Sequence, residues 1–251
     1  MTERRYPAIV IDHESLRHNV KTICDWCEAT GIFVAGVIKG ANGILSVAED
    51  YVAGGAKMIA SSRMEQLKRC REGNIGVPLL MIRVPMLSEL DELVQVADYS
   101  LNSELVTLRA LDKAAEAHGV VHNVVLMVDL GDLREGYFNH DELVETAETV
   151  ERELPHLHLA GIGTNLGCYG SVMATEDKMQ ELADLVIRVE KSIGRELEIV
   201  SGGATSSLMG VFGGYMPEKI NMLRIGAAAL AGPLEDMKIC YGYSEMDALR
   251  D

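Results

Sequence analysis

The sequence predicts a parallel (β/α)8 barrel of the α/β class, and three observations carry the prediction. Short apolar β-type runs alternate with amphipathic helical runs from near residue 14 to near residue 230. Strict alternation of this kind builds a parallel sheet with helices on its outside. Eight such units fall within roughly 220 residues, the count and span of a closed barrel. A doubly wound open sheet is the runner-up, but it more often has six strands and a G-x-G-x-x-G turn, which this chain lacks.

The elements follow in order. A helix is expected over 14–30, a strand at 32–38 and a helix near 44–53. Strands at 57–61 and 79–84 precede helices near 63–72 and 88–96. The fourth strand, 98–101, is short, and its helix runs over 104–118. The fifth strand, 123–130, leads to a helix at 141–153, and the sixth, 157–163, to one at 175–193. The seventh is 196–200, with a helix at 205–212, and the eighth is 221–225. Met179, Leu182, Val186, Val189 and Ile193 recur on a single helical face, as do Leu143, Ala147, Val150 and Leu154. Asn139 with Glu142 reads as a capping pair and Thr175 as an N-cap. Gly31, Gly54, Gly73, Gly119 and Gly194 each follow a helical run, where a left-handed residue closes the last turn.

Composition narrows the function. The 251 residues are 48% hydrophobic, enough for one large core, which excludes a disordered, collagenous or disulfide-built chain. No apolar run approaches the ~18 residues of a membrane span. The start, MTERRYPAIVID, has no apolar signal core, so a cytoplasmic protein with no membrane partner is expected. With 23 basic against 38 acidic residues the net charge is −15, which repels nucleic acid. Five cysteines, an odd number, read as reduced thiols. Cys24 and Cys27 form a C-x-x-C, yet they share an apolar stripe with Leu16, Val20 and Ile23, which favours core packing over zinc or redox chemistry.

A barrel places its chemistry where strands end. Lys39 closes the first strand on the face of Ala35 and Val37, so a desolvated, nucleophilic amine competes with a lysine that snorkels to solvent. After the seventh strand, Gly202 and Gly203 free the backbone to approach an anion, and Thr205, Ser206 and Ser207 add hydroxyls. Gly226 and Ala227 follow the eighth strand in the same way, and the loops after these two strands are the usual phosphate sites of barrels. An ordinary turn explains either one alone. Arg224 ends the eighth strand and Asp129, Asp132 and Arg134 follow the fifth, with Asn165, Cys168 and Tyr169 after the sixth. With Arg63 and Arg83, these suggest a guanidinium-rich mouth suited to a carboxylate. His156 and His158 lie at the far end, with no carboxylate partner apparent and little prospect of a metal. His118 and His122 read as exposed turn residues.

The motifs YPAIVID, VIKGANG, VDLGDLREG, GIGTNLGCYG and LRIG, in this order, resemble the N-terminal barrel of alanine-racemase-type (fold type III) pyridoxal-phosphate enzymes, nearest the ornithine racemase branch. The resemblance covers residues 6–232. It implies that Lys39 holds pyridoxal 5'-phosphate as an imine, and that Thr205, Ser206 and the Gly226–Ala227 turn bind its phosphate. Asn165 and Gly203 join this cofactor set, Arg224 faces the pyridine nitrogen, and Arg134 sits beside ring and substrate. A guanidinium does not yield its proton, so the ring nitrogen stays unprotonated and simple proton return at Cα is favoured.

Departures from that pattern qualify it. Met127 stands where such enzymes commonly carry a carbamylated lysine, and Asn165 where a histidine commonly stacks on the ring. The family's second base is usually a tyrosine of a β-rich C-terminal domain, acting across a dimer. Here only residues 233–251 follow the 1–232 barrel, a short remnant leading towards that domain, so the chain is either a piece of a longer protein or a bare barrel. Within it, Tyr169 and Cys168 are the candidates for the second acid–base group. The expected activity is racemisation of a free amino acid by a homodimer, with Asp132 or Glu135 meeting the distal ammonium of a basic substrate. The alternatives are a non-catalytic pyridoxal-phosphate homeostasis barrel and, behind it, a Schiff-base aldolase without cofactor.

Overall fold

The computed structural model describes residues 9–167, 172–232 and 242–250. Eight parallel strands close into a barrel in sequence order: β1 (Phe33–Val37), β2 (Met58–Ser61), β3 (Leu79–Met81), β4 (Tyr99–Asn102), β5 (His122–Val128), β6 (Leu157–Thr164), β7 (Ile199–Ala204) and β8 (Met222–Ile225). Closure is made by β1 on β8, with Ala35 opposite Arg224. Outside lie α1 (His13–Glu28), α2 (Leu45–Ala53), α3 (Met64–Glu72), α4 (Leu90–Val96), α5 (Leu105–His118), α6 (His140–Glu153), α7 (Glu176–Ile193), α8 (Leu208–Phe212) and α9 (Ala227–Ala231). Among the described residues no helix is long and apolar enough to cross a membrane.

Two cores result from the strand alternation. Ala35, Val37, Leu80, Leu101, Val125, Met127 and Met222 fill the barrel, while a larger shell joins the outward strand faces to the helices. Cys27 belongs to this shell, and burial pushes its thiol up to about 12 and that of Cys24 to about 11, which removes them from thiolate chemistry. Smallness is demanded where layers touch. A Cβ on Gly161 would lie 1.8 Å from the Ile199 carbonyl oxygen, and one on Gly36 would lie 2.4 Å from the Tyr51 ring.

The structure corrects several local expectations. Gly31, Gly119 and Gly194 are left-handed, but Gly54 and Gly73 are right-handed, and the left-handed residues are their successors Gly55 and Asn74. Gly54 and Gly73 instead admit Val20 and Leu45, whose methyl groups would lie 2.6 and 2.5 Å from an added Cβ. Asn139 caps α6 by accepting from the Asp141 N–H, and Thr175 stands at the N-cap of α7 without a side-chain bond. Residues 196–198 precede the seventh strand, which extends through Gly202 and Gly203 because its register with β8 shifts between Ser201 and Ala204. His122 is buried, since β5 already begins there and turns it towards the helices. His158 and His156 do have carboxylate neighbours, Glu198 at 3.0 Å and Asp112 at 3.7 Å. Residues 242–250 lie against the barrel, where Asn19 of α1 donates to the Arg250 carbonyl and accepts from its N–H.

Candidate active site

One cavity of about 300 Å³ opens at the C-terminal ends of the strands. Its wall brings together Lys39, Arg134, Asn165, Thr205, Ser206, Arg224, Gly226 and Ala227, eight residues that the sequence singled out from five different loops and strand ends. Val37, Ile82, Glu135, Gly167 and Ala204 complete it.

Arg224 is the most firmly held of these. It alternates with Met222 into the barrel and is 4% exposed. Its Nη2 donates to the Thr164 carbonyl at 2.6 Å and towards Asn165 Oδ1 at 3.5 Å, and its Nε donates to Ser201 Oγ at 3.1 Å. The side chain thus braces the ends of β6, β7 and β8, with all three of these acceptors neutral oxygens.

Lys39 occupies a different setting from the one expected. Val37 ends β1, and Lys39 opens a 3-10 turn, Lys39–Ala41, beyond the barrel interior. Its side chain reaches the cavity but is exposed, so the expected desolvation is not found. The turn carries the chain outward one residue before the lysine, where the strand alternation alone would have kept it inside.

The two turns that the sequence offers as anion sites stand side by side, after the neighbouring strands β7 and β8. The 3-10 turn Thr205–Ser207 continues into α8, and Gly226 is the N-cap of α9. The first N–H groups of a helical turn have no intrahelical acceptor, so both turns present donors at the cavity. Ser206 Oγ donates to the Leu166 carbonyl at 2.6 Å, and Ser207 Oγ to the Gly202 carbonyl at 2.8 Å, so these hydroxyls shape the loop. Gly203 does not line the cavity. It sits at φ +120°, where a Cβ would lie 2.3 Å from Ser207 Oγ. A residue missed from sequence holds the other turn: Tyr51 of α2, fully buried, donates its hydroxyl to the Gly226 carbonyl at 3.2 Å.

The loop after β5 is pinned by its own backbone. Asp129 N donates to the Tyr137 carbonyl at 3.0 Å and Tyr137 N to the Met127 carbonyl at 2.8 Å. Asp129 Oδ1 accepts from the N–H groups of Gly131 and Leu133. This closure presents Arg134 and Glu135 at its tip. Two other guanidinium groups do not contribute to the mouth. Arg83 is paired with Glu89 at 2.6 Å and donates to the Ser62 carbonyl, and Arg63 is the N-cap of α3, so neither lines the cavity. Cys168 and Tyr169 lie outside the described residues.

Residues 11–232 match the family described as alanine racemase, N-terminal domain. The chain is 39% identical over 227 residues to an ornithine racemase of Acetoanaerobium sticklandii, and 33% identical over 227 residues to a lysine racemase of Thermotoga maritima. Each match covers 90% of this chain, but only 64% and 63% of those two relatives. In three dimensions it is similar to a D-threonine aldolase of Filomicrobium marinum, with a TM-score of 0.75 and 19% identity over 98% of this chain and 65% of that one.

Proposed function

This chain belongs to the alanine racemase N-terminal-domain family, and from that premise we propose that it is a pyridoxal-phosphate-dependent racemase of free amino acids, with ornithine and other basic amino acids first among its substrates. One observation carries the reading. An amine, a buried guanidinium and two helix-starting turns converge on a single cavity at the catalytic end of the barrel.

The residues present fit the cofactor. Lys39 offers the amine that would hold its aldehyde carbon. Thr205 and the N–H groups at Ser206 and Ala227 would hold its phosphate, where a Cβ at Gly226 would press within 3.2 Å of the Val37 backbone. Arg224 would face its ring nitrogen, and Asn165 lines the cavity beside it, with Oδ1 3.5 Å from the guanidinium. When bound, the cofactor supplies a conjugated ring that spreads the charge left at Cα.

The chain's own residues then divide the work. Lys39 takes or returns the proton at Cα from one face. Arg134, exposed at the tip of the β5 loop, receives the substrate α-carboxylate. Arg224 donates without supplying a proton, which limits charge spreading into the ring and favours return to Cα over transamination. The second acid–base group is assigned to Tyr169 or Cys168, which follow Gly167 of the cavity wall directly in sequence. We further propose a cytoplasmic homodimer. The dimer is supported by apolar side chains left exposed on loops of the mouth, among them Met86, Leu87, Leu133 and Phe138.

The test is a solvent deuterium exchange panel on the cofactor-loaded protein. Ornithine and lysine are expected to exchange at Cα, and Lys39→Ala to lose exchange by about a hundredfold or more. The same variant is expected to lose the cofactor absorbance that borohydride fixes to the wild-type protein. Cofactor uptake without exchange of any amino acid would leave a binding barrel in place of the racemase, and no uptake would remove both.

A further inference from the structure

We infer that Glu135 receives the terminal ammonium of the amino acid taken by this cavity, and so selects ornithine- and lysine-type side chains over neutral ones; this rests on the amino-acid reading of the site given above. The loop after β5 holds three carboxylates, and two of them are engaged by backbone N–H groups. Asp129 Oδ1 accepts from Gly131 and Leu133 at 2.8 and 3.1 Å. Asp132 Oδ1 accepts from Val172 N at 3.4 Å, which ties the loop to the segment before α7. Glu135 has no hydrogen bond or ion pair among the described residues. It is half-buried and lies in the cavity wall.

Charge and topology support the assignment. The other charged groups of the wall, Lys39, Arg134 and Arg224, are all cationic, and Glu135 is the one carboxylate among the described lining residues. An amino acid with a neutral side chain leaves that carboxylate unmatched once Arg134 has taken the α-carboxylate. A terminal ammonium matches it with a charge-assisted hydrogen bond. In a closed ring of eight strands, β5 stands opposite β1, so the loops that carry Glu135 and Lys39 leave opposite sides of the ring and both line the one cavity. The substrate side chain spans from the reacting carbon to that far rim. The loop is also stiff enough to discriminate. Gly136, at φ +120°, leaves only 2.5 Å between an added Cβ and the Asp129 nitrogen, so the tip is packed onto its own stem.

The experiment titrates the cofactor-loaded protein by calorimetry with ornithine and with norvaline, which lacks the terminal amine. Wild-type protein is expected to bind ornithine at least tenfold more tightly, and Glu135→Gln to erase that ratio. Glu135→Lys is expected to turn the preference towards glutamate, a gain that misfolding cannot produce. A ratio that survives Glu135→Gln, or no preference in the wild type, overturns the inference. So does an equal loss of kcat for both amino acids with their binding ratio unchanged, which would make Glu135 an acid–base group. Preference for ornithine without Cα exchange would sustain Glu135 in this role while removing the racemase reading.

Discussion

His122 hydrogen-bonds Ser100 Oγ through Nε2 at 2.9 Å in the layer between the strands and the helices, and burial lowers its imidazole to about 4. The unfolded chain protonates this side chain near 6.5, so between that pH and about 4 it binds a proton that the native state refuses. Stability is therefore lost as the pH falls through this window. From about pH 7.5 to about pH 5 the loss from this residue is expected to be about 2 kcal/mol. Urea unfolding at both pH values should show that loss shrinking by a similar amount in His122→Gln. The sequence misplaced His122 because it fixes neither the first residue of a strand nor its face. Lys39 failed similarly in one respect, since a single 3-10 turn moved it from the interior to the rim. Arg224 was legible because alternation with Met222 in a strand leaves one inward direction. Glu135 was legible only as one of two acids, and separating it from Asp132 required seeing that Asp132 accepts from the Val172 N–H while Glu135 lines the cavity.

At the level of elements, the turn after β8 is built as much by α2 as by its own residues. Gly36 of β1 lets the Tyr51 ring lie against the strand, and the ring carries its hydroxyl to the Gly226 carbonyl. Burial pushes that phenol up, so it stays a donor. Tyr51→Phe is expected to cost about 1 kcal/mol of stability and to weaken pyridoxal-phosphate binding several-fold, read by thermal unfolding and by cofactor titration. No spacing rule links a helix tyrosine to a glycine 175 residues later, so this contact was invisible in the sequence. Strand and helix order was visible throughout, because the apolar period changes from two to 3.6 at each boundary. The seventh strand was placed early, since its Gly-Gly pair reads as a turn and only a register shift against β8 makes it strand.

For the whole molecule, the net charge of −15 creates a field that favours cationic ligands. Ornithine is a monocation near neutral pH, whereas norvaline is a zwitterion. Raising the salt shortens the reach of that field, from ~10 Å at 0.1 M to ~3 Å at 1 M. The kcat/KM for ornithine is accordingly expected to fall a few-fold over this range while that for norvaline stays flat, measured by stopped-flow or steady-state kinetics. The barrel itself was readable from eight repeats of one pattern, and much of the cavity wall from its place at strand ends, but the shape of the mouth was not, because loops carry no periodicity. Closure has a temporal side as well. Arg224 joins β6, β7 and β8 from the last strand of the ring, which pairs with β1 from near the start of the chain. A chain emerging from the ribosome therefore carries Lys39 early but completes the cavity wall last, and on the proposed reading a vitamin-derived coenzyme is captured only after the eighth strand has been made.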